Sequence, residues 1–314
     1  MRLRITMVLS LVFVLNFALT YPSMAEPVKG HVPSNMGTLV ALNKGEQTFV
    51  EYRFSNDDFK PYVQVLRSPS GINVLRDRPY DHLHHRGLMF AVNMNDIEFW
   101  GQGWYIGSLG QQLYQPNSLQ LDSQKNSLVG DLSWNSLEHK KNIMGEHRKI
   151  QLLDSKAKAT VLAWESTFAV PAGQPKAIWK GDHYHGLGMR FAKEMDESES
   201  FFFAKDAQAP ENVRGTEYLT RASWAAYHST SEGQKVTVAV FDAPSNPRYP
   251  AHWFTMYKPF SYLSATINTY RKPFEIDAGQ AVRFHYGVAV FDGHAKVEEV
   301  EHAYSDWLKA FAEK

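Results

Sequence analysis

The 314-residue chain contains no cysteine, which excludes disulfides, thiolate nucleophiles and thiolate metal ligands together. It carries no excess of either charge, with 33 Lys and Arg against 33 Asp and Glu. It therefore presents no overall electrostatic footprint for nucleic acid or an anionic membrane. Past residue 25 no apolar run is long enough to span a bilayer. There is no Ser-centred nucleophile elbow, phosphate-binding Gly loop or dinucleotide fingerprint. Nor does any segment before residue 293 sustain a helical period. Nucleic-acid binding, membrane insertion and nucleotide chemistry are thus not expected.

What the sequence does contain begins with a leader. Arg2 and Arg4 give a basic start, Met7 to Leu19 is apolar, and Ser23-Met24-Ala25 reads as a small-residue cleavage site. Residues 1–25 are expected to be a signal peptide, and residues 26–314 a single domain delivered to the periplasm or secreted. Within it, β-rich runs are separated by Gly, Asn, Asp and Pro: Thr38–Leu42, Thr48–Phe54, Tyr62–Leu66, Leu88–Val92, Leu128–Trp134, Lys158–Val170, Leu187–Phe191 and Lys235–Phe241. Phe284, Tyr286, Val288 and Val290 alternate with Arg283, His285 and Gly287. At the end, Val297, Val300, Tyr304, Trp307, Leu308 and Phe311 recur at three- and four-residue spacing, the mark of an amphipathic helix with its cap near Asp292. These patterns predict a mostly β fold: a large antiparallel β-sandwich, of which a mutarotase-like supersandwich is one form, braced by one C-terminal helix.

Three of the thirteen histidines fall in Tyr80-Asp81-His82-Leu83-His84-His85-Arg86-Gly87. Imidazole alone titrates near neutrality without help and is the commonest metal ligand, so His82, His84 and His85 are candidates for catalysis and Arg86 for anchoring an oxyanion. On an extended backbone His82 and His84 would share a face and His85 would point away. Just beyond, Asp96-Ile97-Glu98-Phe99-Trp100 would put Asp96 and Glu98 on one face, beside a Trp able to stack on a sugar. Gly181-Asp182-His183-Tyr184-His185-Gly186 repeats the His-x-His spacing. His183 and His185 are then candidate substrate contacts, the two pairs supplying two general acid/base positions, or His82, His84, His183 and His185 could surround one Zn, Cu or Fe ion, although no cofactor is required by the reading. A polar turn before a core strand explains each of these segments without any ligand.

A third segment, Ser245-Asn246-Pro247-Arg248-Tyr249-Pro250-Ala251-His252-Trp253, is stiffened by two prolines. It either presents Arg248, His252 and Trp253 to a ligand or is an inter-strand loop in which Arg248 pairs with a carboxylate. Glu146 is a further candidate acid/base, and His285 a candidate contact on a late strand. If the segments converge, the best-fitting ligand is a small molecule or oligosaccharide, with His84 and His82 exchanging protons against Glu98 or Glu146. The alternatives are a non-catalytic sugar-binding protein and a His-ligated metalloprotein.

Arg78-Pro79-Tyr80-Asp81-His82-Leu83-His84-His85-Arg86-Gly87, Phe99-Trp100-Gly101 and Asn246-Pro247-Arg248-Tyr249-Pro250-Ala251-His252-Trp253 together resemble the signatures of the soluble PmoA-like family, over most of residues 26–314. Leu83 stands where that family usually has Pro. The resemblance implies a β-sandwich and an association with carbohydrate breakdown. The label also implies methane oxidation, but that activity belongs to a membrane-spanning subunit, and no span is expected here.

Overall fold

The computed structural model describes residues 38–102, 108–197 and 200–312; the expected leader lies outside them. Among the described residues, strands form two large sheets of nine and thirteen strands. The one α-helix described is Val297–Ala312, at the C-terminal end. The pattern-derived strands match to within a residue or two: Gln47–Arg53, Tyr62–Leu66, Ser127–Ser136, Ala159–Ala169 and Gln234–Asp242. The fold is mostly β, as the alternation requires.

The nine-stranded sheet is antiparallel and runs in the order Leu39–Lys44, Gln47–Arg53, Tyr62–Leu66, Leu88–Ala91, Gly186–Arg190, Tyr262–Thr266, His252–Met256, Glu217–Arg221 and Glu211–Arg214. The larger sheet packs against one of its faces. The interface is aromatic: Phe90 lies 5.2–6.3 Å from the rings of Trp134, Phe168, Trp179 and Phe284. Because side chains alternate along a strand, the register decides which residues enter this core. Phe90, Leu187, Ala265 and Trp253 are cross-strand partners and share the core face. Gly188, Ser264 and Phe254 form the next row, and Arg190, Tyr262, Met256 and Glu217 the row two residues further along, on the same face. These rows face away from the larger sheet.

The C-terminal helix braces the outer face of the larger sheet. Gly287 makes this close approach feasible, since a Cβ there would sit 2.8 Å from both Phe241 and Trp307. Asp292 is the last residue of the preceding strand rather than a cap. At the helix start, the Lys296 N–H instead donates to the Glu299 carboxylate at 2.8 Å, the reciprocal half of a capping box.

Candidate functional site

A cavity of about 260 Å³ opens over the outward face of the nine-stranded sheet. Its floor comes from the sheet (Glu217, Phe254, Met256 and Tyr262), and its walls from loops carrying His82, His84, His85, Trp100, Tyr184 and Phe260. Arg214 reaches in from the edge hairpin. The first two histidine segments therefore meet, but not as extended strands. His82 N–H donates to Pro79 O at 3.0 Å and His85 N–H to His82 O at 2.8 Å, so the segment is a pair of tight turns. That winding gathers all three imidazoles on one side: His82 stacks on His85 at 4.7 Å, and His84 lies 4.6 Å from His85. The alternation expected for an extended backbone does not apply.

Burial sets the charge of this cluster. His84 is pushed down to about 3 by desolvation, with the Lys60 cation adding to it. His85 is held well below the ordinary imidazole value by burial and by the neighbouring His84. Burial thus favours the neutral imidazole of His84, which works against the proton exchange expected of it.

The second segment is also a turn, with His185 N–H donating to Asp182 O at 3.2 Å. His185 is buried and stacks on Trp100 at 4.9 Å and 19°, and burial lowers it to about 3. Gly181 permits that placement: at φ +130 it occupies a conformation L residues avoid, and a Cβ there would fall 1.9 Å from His185 Nδ1. His183 turns the other way. Its Nε2 lies 3.0 Å from Glu217 Oε2, and its Nδ1 pairs with Asp182. Burial works against protonation of His183, but the Asp182 and Glu217 carboxylates outweigh it and raise its pKa. An Asp182–His183–Glu217 chain thus ends at the cavity. No group of three or more His, Asp or Glu suited to holding a metal ion exists among the described residues.

Several expected site residues do not line the cavity. Asp96 and Glu98 do not share a face: Asn95 and Asp96 both adopt positive φ in a tight turn, leaving Asp96 exposed. Buried Glu98 accepts N–H bonds from Trp100 at 2.6 Å and Gly101 at 3.2 Å, so it shapes the turn that presents Trp100. Arg86 is buried against Asp58 at 3.2 Å and Gln102 at 3.3 Å. Glu146 lies between the sheets, where its carboxylate accepts from Arg148, Trp134 and Ser166. The Pro-rich segment is an inter-strand loop: Arg248 donates to the carbonyls of Ile267, Lys272 and Pro273 at 2.7–2.8 Å, not to a carboxylate. Trp253 is on the core face, its N–H donating to Ala222 O at 2.7 Å. His252 shares the outward face with Phe254 but sits one row beyond the cavity, opposite Thr266. His285 belongs to the larger sheet, 3.8 Å from Glu165.

Sequence reasoning missed Glu217, Tyr262 and Lys60. Glu217 follows the Gly215 turn of an edge hairpin and has no local signature; only register brings it over His183. Lys60 is fully buried, donates to Trp100 O at 2.6 Å, and is lowered to about 7 by burial.

No described helix is long and apolar enough to cross a membrane. No curated protein sequence matches this one. Among solved structures, an alpha-galactosidase from Lactobacillus brevis shares 8% identity at a TM-score of 0.45, over 80% of this chain and 39% of that one. A family 36 alpha-galactosidase from Geobacillus stearothermophilus in complex with raffinose shares 8% at 0.44, over 81% and 41%. A polysaccharide lyase shares 10% at 0.37, over 82% and 34%. The chain thus spans about two fifths of the length of the alpha-galactosidases and a third of the lyase. The family model that matches covers residues 39–305, and by that match the chain belongs to the family of unknown function DUF6807.

Proposed function

We propose that the protein binds a sugar ring in the histidine and aromatic cavity and transfers a proton on it, working outside the cytoplasm as one of the PmoA-like proteins its motifs resemble. One observation carries the reading: Trp100, Tyr184 and Phe254 wall the same cavity that holds Glu217 and the neutral imidazoles of His84 and His85. A pyranose is apolar across its C–H faces and polar around its rim, so it calls for flat apolar walls with a few polar groups between them. The volume of about 260 Å³ falls below the roughly 300–1,000 Å³ of drug-sized sites and suits one ring. The leader-like features of residues 1–25 support export.

In this reading Glu217 is the proton acceptor. His183, whose pKa the Asp182 and Glu217 carboxylates raise, pairs with the Glu217 carboxylate and orients it. His84 polarises a hydroxyl or carbonyl oxygen as a neutral hydrogen-bonding group. Methane oxidation has no part in it. The test is proton magnetic resonance of hexoses and their glycosides incubated with the protein. Glu217→Gln should lower turnover by about 100-fold or more while dissociation constants change little. Unchanged turnover in that variant, or no saccharide binding by the wild type, overturns the reading.

A further inference from the structure

We infer that the cavity is one half of a two-subsite groove, whose occupant is at least a disaccharide lying across the Arg214–Glu217 ion pair. This rests on the sugar-binding reading above. Arg214 and Glu217 line the histidine cavity on one side. On the other they line a second, shallower cavity of about 470 Å³ with Glu197, Thr216, Lys258 and Pro259. One ion pair is therefore the wall between two adjoining cavities.

The hairpin geometry explains the wall. The edge strand Glu211–Arg214 and its neighbour Glu217–Arg221 are joined through Gly215, at φ +53 in the left-handed region. The tight reversal folds Arg214 back so that its Nη2 donates to Glu217 Oε1 at 2.7 Å. The two partners are held unequally. The Glu217 side chain is 10% exposed and anchored from below by His183, whereas that of Arg214 is 74% exposed. A pair with one such exposed member is worth little and is readily exchanged for contacts to a ligand, so Arg214 can yield to an incoming hydroxyl while Glu217 stays fixed.

The two cavities differ in character as two subsites should. The first has aromatic walls for a ring face. The second has a polar rim: the exposed Lys258 and Glu197, with Thr216 tying the loop down by donating to Lys258 O at 2.8 Å. Such a rim suits the hydroxyls of a second ring bound from one side. The linkage between the rings then lies next to Glu217.

Calorimetric titration tests this with matched mono-, di- and trisaccharides of gluco and galacto configuration. They are run against the wild type, Thr216→Trp, which fills the second cavity, and Lys258→Glu, which reverses its charge. The disaccharide should bind the wild type about tenfold or more tighter than its monosaccharide, with no further gain for the trisaccharide. Both variants should lose that gain and keep monosaccharide affinity, which also reports that they are folded. If mono- and disaccharide bind the wild type equally, the groove is wrong and the sugar pocket stands. If no saccharide binds, the pocket reading falls and the groove with it.

Discussion

Replacing Arg148 by alanine should cripple stability and leave the cavity's chemistry alone. The Arg148 guanidinium has no solvent exposure. Its Nε donates to Glu146 Oε1 at 2.7 Å and its Nη2 to Glu146 Oε2 at 2.8 Å and Gln112 Oε1 at 3.1 Å. Nη1 crosses to the other sheet, reaching Tyr52 OH at 3.1 Å and Pro61 O at 3.2 Å, and the cation lies over the Trp164 ring at 4.7 Å. Removing it strands the Glu146 carboxylate in the core with only Trp134 N–H and Ser166 O–H as donors. Uncompensating a buried pair costs about 3–5 kcal/mol, against a total stability of roughly 5–15 kcal/mol for a typical domain. Equilibrium urea unfolding followed by tryptophan fluorescence should show the midpoint falling at an unchanged slope. Saccharide affinity per folded molecule should match the wild type. A loss under about 1 kcal/mol, or wild-type stability combined with lost turnover, would refute the structural role and return Glu146 to the list of acid/base candidates.

Four further outcomes follow from the same geometry. Gly188→Ala places a Cβ 1.9 Å from Tyr262 Oη and 3.2 Å from Trp100 Cη2; calorimetry should show saccharide affinity falling by about tenfold or more, because Tyr262 must move into the cavity. His183 has its folded-state pKa raised by its carboxylate partners against the pull of burial, so its stabilisation is full below the ordinary imidazole value and fades as pH rises through the folded value. The urea-midpoint gap between wild type and His183→Asn should therefore be wider near pH 5.5 than near pH 9, and a gap independent of pH would contradict the ion pair. Lys60 is lowered by burial to about 7, so its charged form penalises the fold below the ordinary lysine value. The wild type should gain stability relative to Lys60→Met as pH climbs from about 7 to about 10. Arg248→Ala should cost about 1–3 kcal/mol in thermal or urea unfolding with saccharide affinity unchanged, since its donors serve only loop carbonyls.

How much of this the sequence disclosed divides along physical lines. Strands were legible because two-residue alternation is local: Phe284, Tyr286, Val288 and Val290 lie in the strand Ala281–Asp292 as their spacing predicts, although His285, Gly287 and Ala289 between them are buried too. The C-terminal helix was legible for the same reason at its own period. Turns were not. His82, His84 and His85 form one cluster because the chain coils between Pro79 and His85, and no periodicity encodes a turn. Glu146 illustrates a second limit. A carboxylate in a strand looks the same whether it faces solvent, a ligand or a buried arginine, and only the register across the sandwich decides. Glu217 illustrates the converse: it sits in the cavity because its strand pairs with His252–Met256 in a register that puts it opposite Met256. That register is set by long-range pairing rather than by neighbouring residues.

The central claim is that a saccharide occupies the cavity between His84 and Glu217, and histidine side-chain magnetic resonance measures it directly. With each imidazole assigned, titration with the tightest-binding disaccharide should shift His82, His84, His85 and His183, while His147 and His285, which lie on the larger sheet, stay still as internal controls. Shifts confined to His285 or His252, or no shift at any histidine under saturating saccharide, would contradict the account.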